Sequence, residues 1–122
     1  MIKKCSEIEG KVLTNFRDGV GDVTMYHFMT EQEANGVGRL FVKTTIPPGN
    51  SIGFHKHDGD CEAYYILKGT ALVSDNGNDV TLTAGDCNLC VDGEGHSIKN
   101  IGDDLLEYIA IILYTKQKDL TA

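Results

Sequence analysis

Polar and apolar positions alternate in short runs along most of this chain, and helical spacing is nearly absent. Such runs predict strands. They cover Asp22–Met29, Arg39–Ile46, Ser51–His57, Glu62–Leu67, Thr70–Ser74, Asp79–Leu82, Asp86–Val91, His96–Ile101 and Leu105–Tyr114. Turn signals separate them. Pro47-Pro48-Gly49 stops the second run, because proline has no N–H to give a ladder. Asp75-Asn76-Gly77-Asn78 predicts a tight hairpin, since Asn-Gly tolerates the positive φ angles of a two-residue turn. Only Lys3–Glu9 reads as a helix, and a short one. Many short strands with turns between them predict an all-β sandwich or barrel.

The run Leu105–Tyr114 is apolar on both faces, where a half-exposed strand would alternate. One face is expected in the barrel interior. The other is expected against a second subunit, as in a twofold homodimer, or else beneath the chain's own N-terminal segment.

Composition narrows the functions. A length of 122 residues suits one domain, 1–122. The net charge of −7 argues against nucleic acid and anionic membranes, which need a positive surface. No apolar run follows Lys3-Lys4, and none reaches the length of a membrane helix. A cytoplasmic location is therefore expected, with Cys5, Cys61, Cys87 and Cys90 as free thiols. Cys87-x-x-Cys90 has the spacing of a redox or zinc pair, but residues three apart on a strand point to opposite faces. Two small packed residues are the better reading. Glycine-rich nucleotide loops and the G-x-S-x-G of serine hydrolases are absent.

The candidate chemistry lies in two segments. The first reads Gly49-x5-His55-x-His57-x4-Glu62-x6-Gly69. Residues two apart on a strand share a face, so His55 and His57 can converge, and the loop Asp58–Cys61 returns Glu62 to the same point. Imidazole and carboxylate donors on adjoining strands are what a divalent metal needs. The second reads Gly85-x7-Gly93-x2-His96-x3-Asn100, with His96 as a fourth donor. The Asn76-Gly77 hairpin lies between them and can fold one against the other.

Both segments resemble the two signature motifs of the cupins, which are small double-stranded β-helix, or jelly-roll, barrels. The motif core spans 49–100. The first motif matches at every fixed position; the second departs once, with Val91 where the family usually has proline. The resemblance implies a barrel of six to eight strands and His55, His57, Glu62 and His96 as metal ligands. His27 lies outside both motifs and reads as a surface or lumen residue.

Such a ligand set suits one divalent ion, Mn, Fe, Ni, Co or Zn, and leaves positions open. A small ligand with adjacent oxygens, such as a hydroxy acid, keto acid or sugar acid, would chelate it. Within the family this implies an isomerase, lyase or dioxygenase, or alternatively a non-catalytic binding or sensing protein. Strand parity places Tyr64 inward with Glu62, as a proton donor or as a wall residue. Lys43, on a strand expected to line the barrel, is the candidate partner of a ligand carboxylate, or else a solvated lysine at the barrel mouth. Asn100 reads as a turn residue. Cys61 points away from the lumen by parity, which sets aside a cysteine–tyrosine crosslink.

Overall fold

Ten strands and two 3₁₀ turns build the fold in this computed structural model, which describes residues 1–116. The strands are β1 (Gly10–Thr14), β2 (Asp22–His27), β3 (Gly38–Ile46), β4 (Ser51–Lys56), β5 (Asp60–Lys68), β6 (Ala71–Asp75), β7 (Asn78–Leu82), β8 (Cys87–Cys90), β9 (Gly95–Asn100) and β10 (Leu106–Tyr114). One sheet has the order β1-β2-β3-β10-β5-β8 and the other β4-β9-β6-β7, all neighbours antiparallel. Together they form the expected jelly roll.

Alternation decides which side chains enter the lumen. On β5, Asp60, Glu62, Tyr64 and Ile66 are buried while Tyr65, Leu67 and Lys68 are exposed. On β10, Leu106, Tyr108, Ala110 and Ile112 are buried. They meet Ile46, Thr44, Val42 and Leu40 across the β3 ladder. Ile66, Val73, Ile98 and Val42 complete a core from which water is excluded. The β6–β7 hairpin turns through Asn76 (φ 51°) and Gly77 (φ 89°), the two positive φ angles its sequence predicts.

Two features depart from expectation. The N-terminal helix shrinks to the 3₁₀ turn Cys5–Glu7. The strand count among the described residues is ten, above six to eight, partly because β1 (GKVLT) adds to the sheet edge by pairing Gly10 with Tyr26 through Thr14 with Asp22. Its run is too short and too exposed to announce itself by alternation. The outward face of β10 is half-buried at Ile109 and Ile111 and open at Leu113. No helix among the described residues is long and apolar enough to cross a membrane.

The connection between β1 and β2 positions the site. Asn15, Arg17 and Asp18 all have positive φ (52°, 54° and 61°), a strained conformation for residues with a Cβ. Val20 holds the segment on β4: its N–H donates to Ser51 Oγ (3.0 Å), and its carbonyl accepts from Ser51 N–H (2.9 Å). Glycine at 53 is required because a Cβ there would stand 1.9 Å from the Arg17 carbonyl oxygen. This strap sets Phe16 and Arg17 against the lumen.

Candidate metal centre

His55 and His96 face each other in the β4–β9 ladder, after a register shift between Ile52 and His55 that re-aims the end of β4. His57 follows β4 directly, and Glu62 enters from β5. Their donor atoms all lie within 4.8 Å of one another. Glu62 Oε1 is 2.9 Å from His96 Nε2, 3.2 Å from His57 Nε2 and 3.5 Å from His55 Nε2. The two motif segments therefore converge inside the barrel.

The other ring nitrogens fix the tautomers. His55 Nδ1 donates to the Gly53 carbonyl (2.8 Å), His57 Nδ1 to Asp60 Oδ1 (2.7 Å) and His96 Nδ1 to Asn88 Oδ1 (2.7 Å). Asn88 is oriented in turn, its Nδ2 donating to Asp75 Oδ1 at 3.5 Å. Carbonyl, carboxylate and amide oxygens accept only, so each Nδ1 carries a proton, and Nε2 is the nitrogen each ring turns to the centre, bare once the ring is neutral. This is how metal-binding histidines are held.

Electrostatics point the same way. Burial would raise the Glu62 carboxyl, but bonds to His55, His57 and His96 outweigh it and hold the group well below the carboxylate range. His57 is raised, first by its bond to Glu62, against burial. His96 is lowered, first by burial. Three ring nitrogens and a carboxylate, nearly closed to solvent, could hold a cation among them, and this donor set fits a divalent one.

A cavity of about 50 Å³ adjoins the cluster. Phe16, Met25, Leu40, Ile52 and Ile112 form apolar walls, while Arg17, Arg39, Tyr64 and Tyr108 supply polar groups. Arg39 Nε donates to Asp60 Oδ2 at 3.0 Å, so one buried carboxylate links His57 to a guanidinium on the cavity wall. Tyr64 stacks on His96 (centroids 4.5 Å, 8° between planes) and meets Tyr108 edge-on at 4.9 Å. Burial first, then the charge of Glu62, raises both phenols, so both keep their O–H.

Lys43 does not reach this cavity. It stands on the outward side of β3, beside Glu107 at 3.8 Å and over the Tyr26 ring, because Thr44 and Val42 take the inward positions. Its expected pairing with a ligand carboxylate is corrected accordingly. Tyr64 does line the cavity. Asn100 is buried and structural: its amide donates to the carbonyls of Ile46 (2.7 Å) and Asp104 (2.8 Å). Val91 uses its N–H to reach Glu94 Oε1 at 3.2 Å, a bond the motif's usual proline could not make. Cys87 is exposed and Cys90 buried, on opposite faces of β8, and the four cysteines are free. His27 is exposed at the end of β2.

Sequence reading missed Asp60, Asn88, Arg17, Arg39 and Tyr108. Asp60 was within reach, since it lies two residues before Glu62 and so on the same face. Arg17 was not, because a strained turn, not a pattern, aims it.

Comparisons with known proteins agree with this geometry. A family model described as a cupin domain matches residues 42–112. The chain is 42% identical over 113 residues to an oxalate-binding protein of Thermotoga maritima, covering 93% of each. It superposes on the crystal structure of a predicted oxalate decarboxylase from Thermotoga maritima with a TM-score of 0.91 and 42% identity, covering 93% of this chain and 99% of that one. The polyketide cyclase RemF from Streptomyces resistomycificus shares the fold alone, with a TM-score of 0.75 at 11% identity over 98% of this chain and 83% of the other.

Proposed function

This chain belongs to the cupin domain family, and on that premise we propose that it binds a small, oxygen-rich acid of oxalate's size through a divalent metal held by His55, His57, Glu62 and His96. The observation that carries the reading is the convergence of three Nε2 atoms on one carboxylate, each ring fixed by an acceptor at Nδ1. When bound, the ion supplies positive charge and open positions for two ligand oxygens. Nitrogen and oxygen donors suit Mn, Fe, Co, Ni or Zn.

Cavity size selects within the acids. One water occupies roughly 10–15 Å³ on this measure, so the 50 Å³ available suits a two- or three-carbon acid better than a sugar acid. Arg17 and Arg39 on the wall favour an anion. The oxalate-binding relative supports the same class.

Binding is favoured over turnover because the lining is poor in acids and bases. Among the described residues its one carboxylate is Glu62, and no lysine lines it. Asp60, just behind the wall, is committed to His57 and Arg39. The second reading, decarboxylation or oxidation of the same acid, draws on the Tyr64 and Tyr108 hydroxyls as proton donors. Calorimetric titration of oxalate into metal-loaded and chelator-stripped protein tests the function. Binding is expected only with metal, without release of carbon dioxide or formate. Oxalate bound equally by stripped protein would overturn the reading, and release of either product would favour the second.

A twofold homodimer belongs to the same proposal. Tyr65, Leu67, Leu89 and Leu113 share the outward side of β10-β5-β8, each 38–55% exposed. Light scattering that reports a monomer at micromolar concentration would contradict it.

A further inference from the structure

Two hydroxyls in the barrel have no visible purpose in its packing. Tyr108 and Thr44 stand opposite each other on the inner face of the β10–β3 ladder, both fully buried. Neither Tyr108 Oη nor Thr44 Oγ1 makes a well-formed hydrogen bond among the described residues, and such contact as Tyr108 has is with the Thr44 hydroxyl opposite it. Buried polar atoms are almost always satisfied, and Phe or Val would fill the same space without the penalty. A cost of this kind, placed beside a site, points to a group that arrives with the ligand.

Tyr108 lines the cavity that adjoins the four clustered residues, together with mostly apolar walls. The apolar stretches of those walls offer an acid nothing to bond. The Nε–H of Arg39 is already engaged by Asp60, and Arg17 stands at the exposed strap. An acid that spends two oxygens on a cation still carries acceptor oxygens that must not be left dry. Tyr108 is a fully buried wall residue whose hydroxyl can meet one of them.

We propose that the Tyr108 hydroxyl, with Thr44 opposite it, is the donor that selects small acids carrying an acceptor oxygen beyond the chelating pair. Tyr108 thus acts as a specificity residue. The inference rests on the ligand reading above. It adds what that reading lacks: a reason for oxalate to be preferred over a monocarboxylate that also reaches the ion.

The experiment compares wild type, Tyr108→Phe and Thr44→Val, each carrying the metal it retains on purification. Metal content, melting temperature and calorimetric titration with oxalate, glyoxylate, glycolate and acetate are read for each. Tyr108→Phe is expected to keep one metal per chain and to melt at the same temperature or higher, since an unsatisfied group is gone. It should bind oxalate about tenfold or more weakly, because a site built to donate discriminates through that bond. Its preference for oxalate over acetate should narrow. Thr44→Val should keep its metal and weaken oxalate binding less. Undiminished oxalate affinity in Tyr108→Phe overturns the inference and leaves the ligand reading standing. A lower melting temperature or lost metal in that variant also overturns it, by making Tyr108 structural. If metal-loaded wild type binds none of the four acids, the ligand reading falls and the inference with it.

Discussion

The Nε2 atoms of His57 and His96 face each other across 3.2 Å, and because both Nδ1 atoms donate to acceptors, neither Nε2 carries a proton when the rings are neutral. Two lone pairs at that distance repel unless a positive charge lies between or beside them. Glu62 Oε1, also negative, adds to the need. A bound cation resolves all three contacts at once, and several expectations descend from that.

Asp60 holds the His57 tautomer by accepting from Nδ1, and it is itself steadied by Arg39. Asp60→Asn presents an amide that can donate to the ring and so favour the wrong nitrogen. Metal affinity is expected to fall about 10- to 100-fold, as measured by competition with a chromogenic chelator. An unchanged affinity would remove Asp60 from the site.

The pH dependence of metal stabilisation has a definite sign. In the metal-free chain His57 lies above its ordinary 6.5, chiefly through its bond to Glu62. A raised group stabilises the fold fully below its unfolded value and loses that contribution as pH rises through the folded one. His96, lowered by burial, works in the opposite sense at the acid end. With metal bound, protons instead compete for the imidazoles. The gain in melting temperature on adding metal should therefore shrink from about pH 8 to about pH 6, as read by calorimetry, and a gain that grows on acidification would contradict the ligand set.

Gly53 is where the strap crosses β4 most closely. In Gly53→Ala the new methyl meets the Arg17 carbonyl at 1.9 Å, and that backbone must move. A loss of about 1–3 kcal/mol in urea unfolding is expected, with weaker oxalate binding as Phe16 and Arg17 shift. Wild-type stability would show that the strap is not seated there.

Arg17 carries both strain and charge. Arg17→Gly removes the Cβ that disfavours φ 54° and should stabilise by about 1 kcal/mol. It should also weaken oxalate binding a few-fold and flatten its salt dependence, with Arg17→Lys restoring the latter. Equal affinity in the glycine variant would assign the residue no part in attracting the anion.

Much of this was legible in the sequence, for identifiable reasons. Parity on β5 sent Glu62 and Tyr64 inward, and Asn76-Gly77 declared its hairpin, because strand alternation and turn chemistry act over a few residues. Lys43 misled because the same parity needs an anchor: one position on β3 separates the lumen from the outward face, and only the pairing of Thr44 with Tyr108 settles which is which. Asn88 and Arg39 reach His96 and Asp60 from β8 and β3, neither next to its partner in the chain, so no local pattern could name them. β1 escaped because an edge strand held by its ladder carries little burial signal.

The most direct test of the central claim is the metal content of purified chain by elemental analysis, in wild type and in His57→Ala. One divalent transition metal per wild-type chain, and a large loss in the variant, is the predicted result. Equal metal content in the two proteins, or none in wild type reconstituted with Mn, Fe, Co, Ni and Zn, would contradict it.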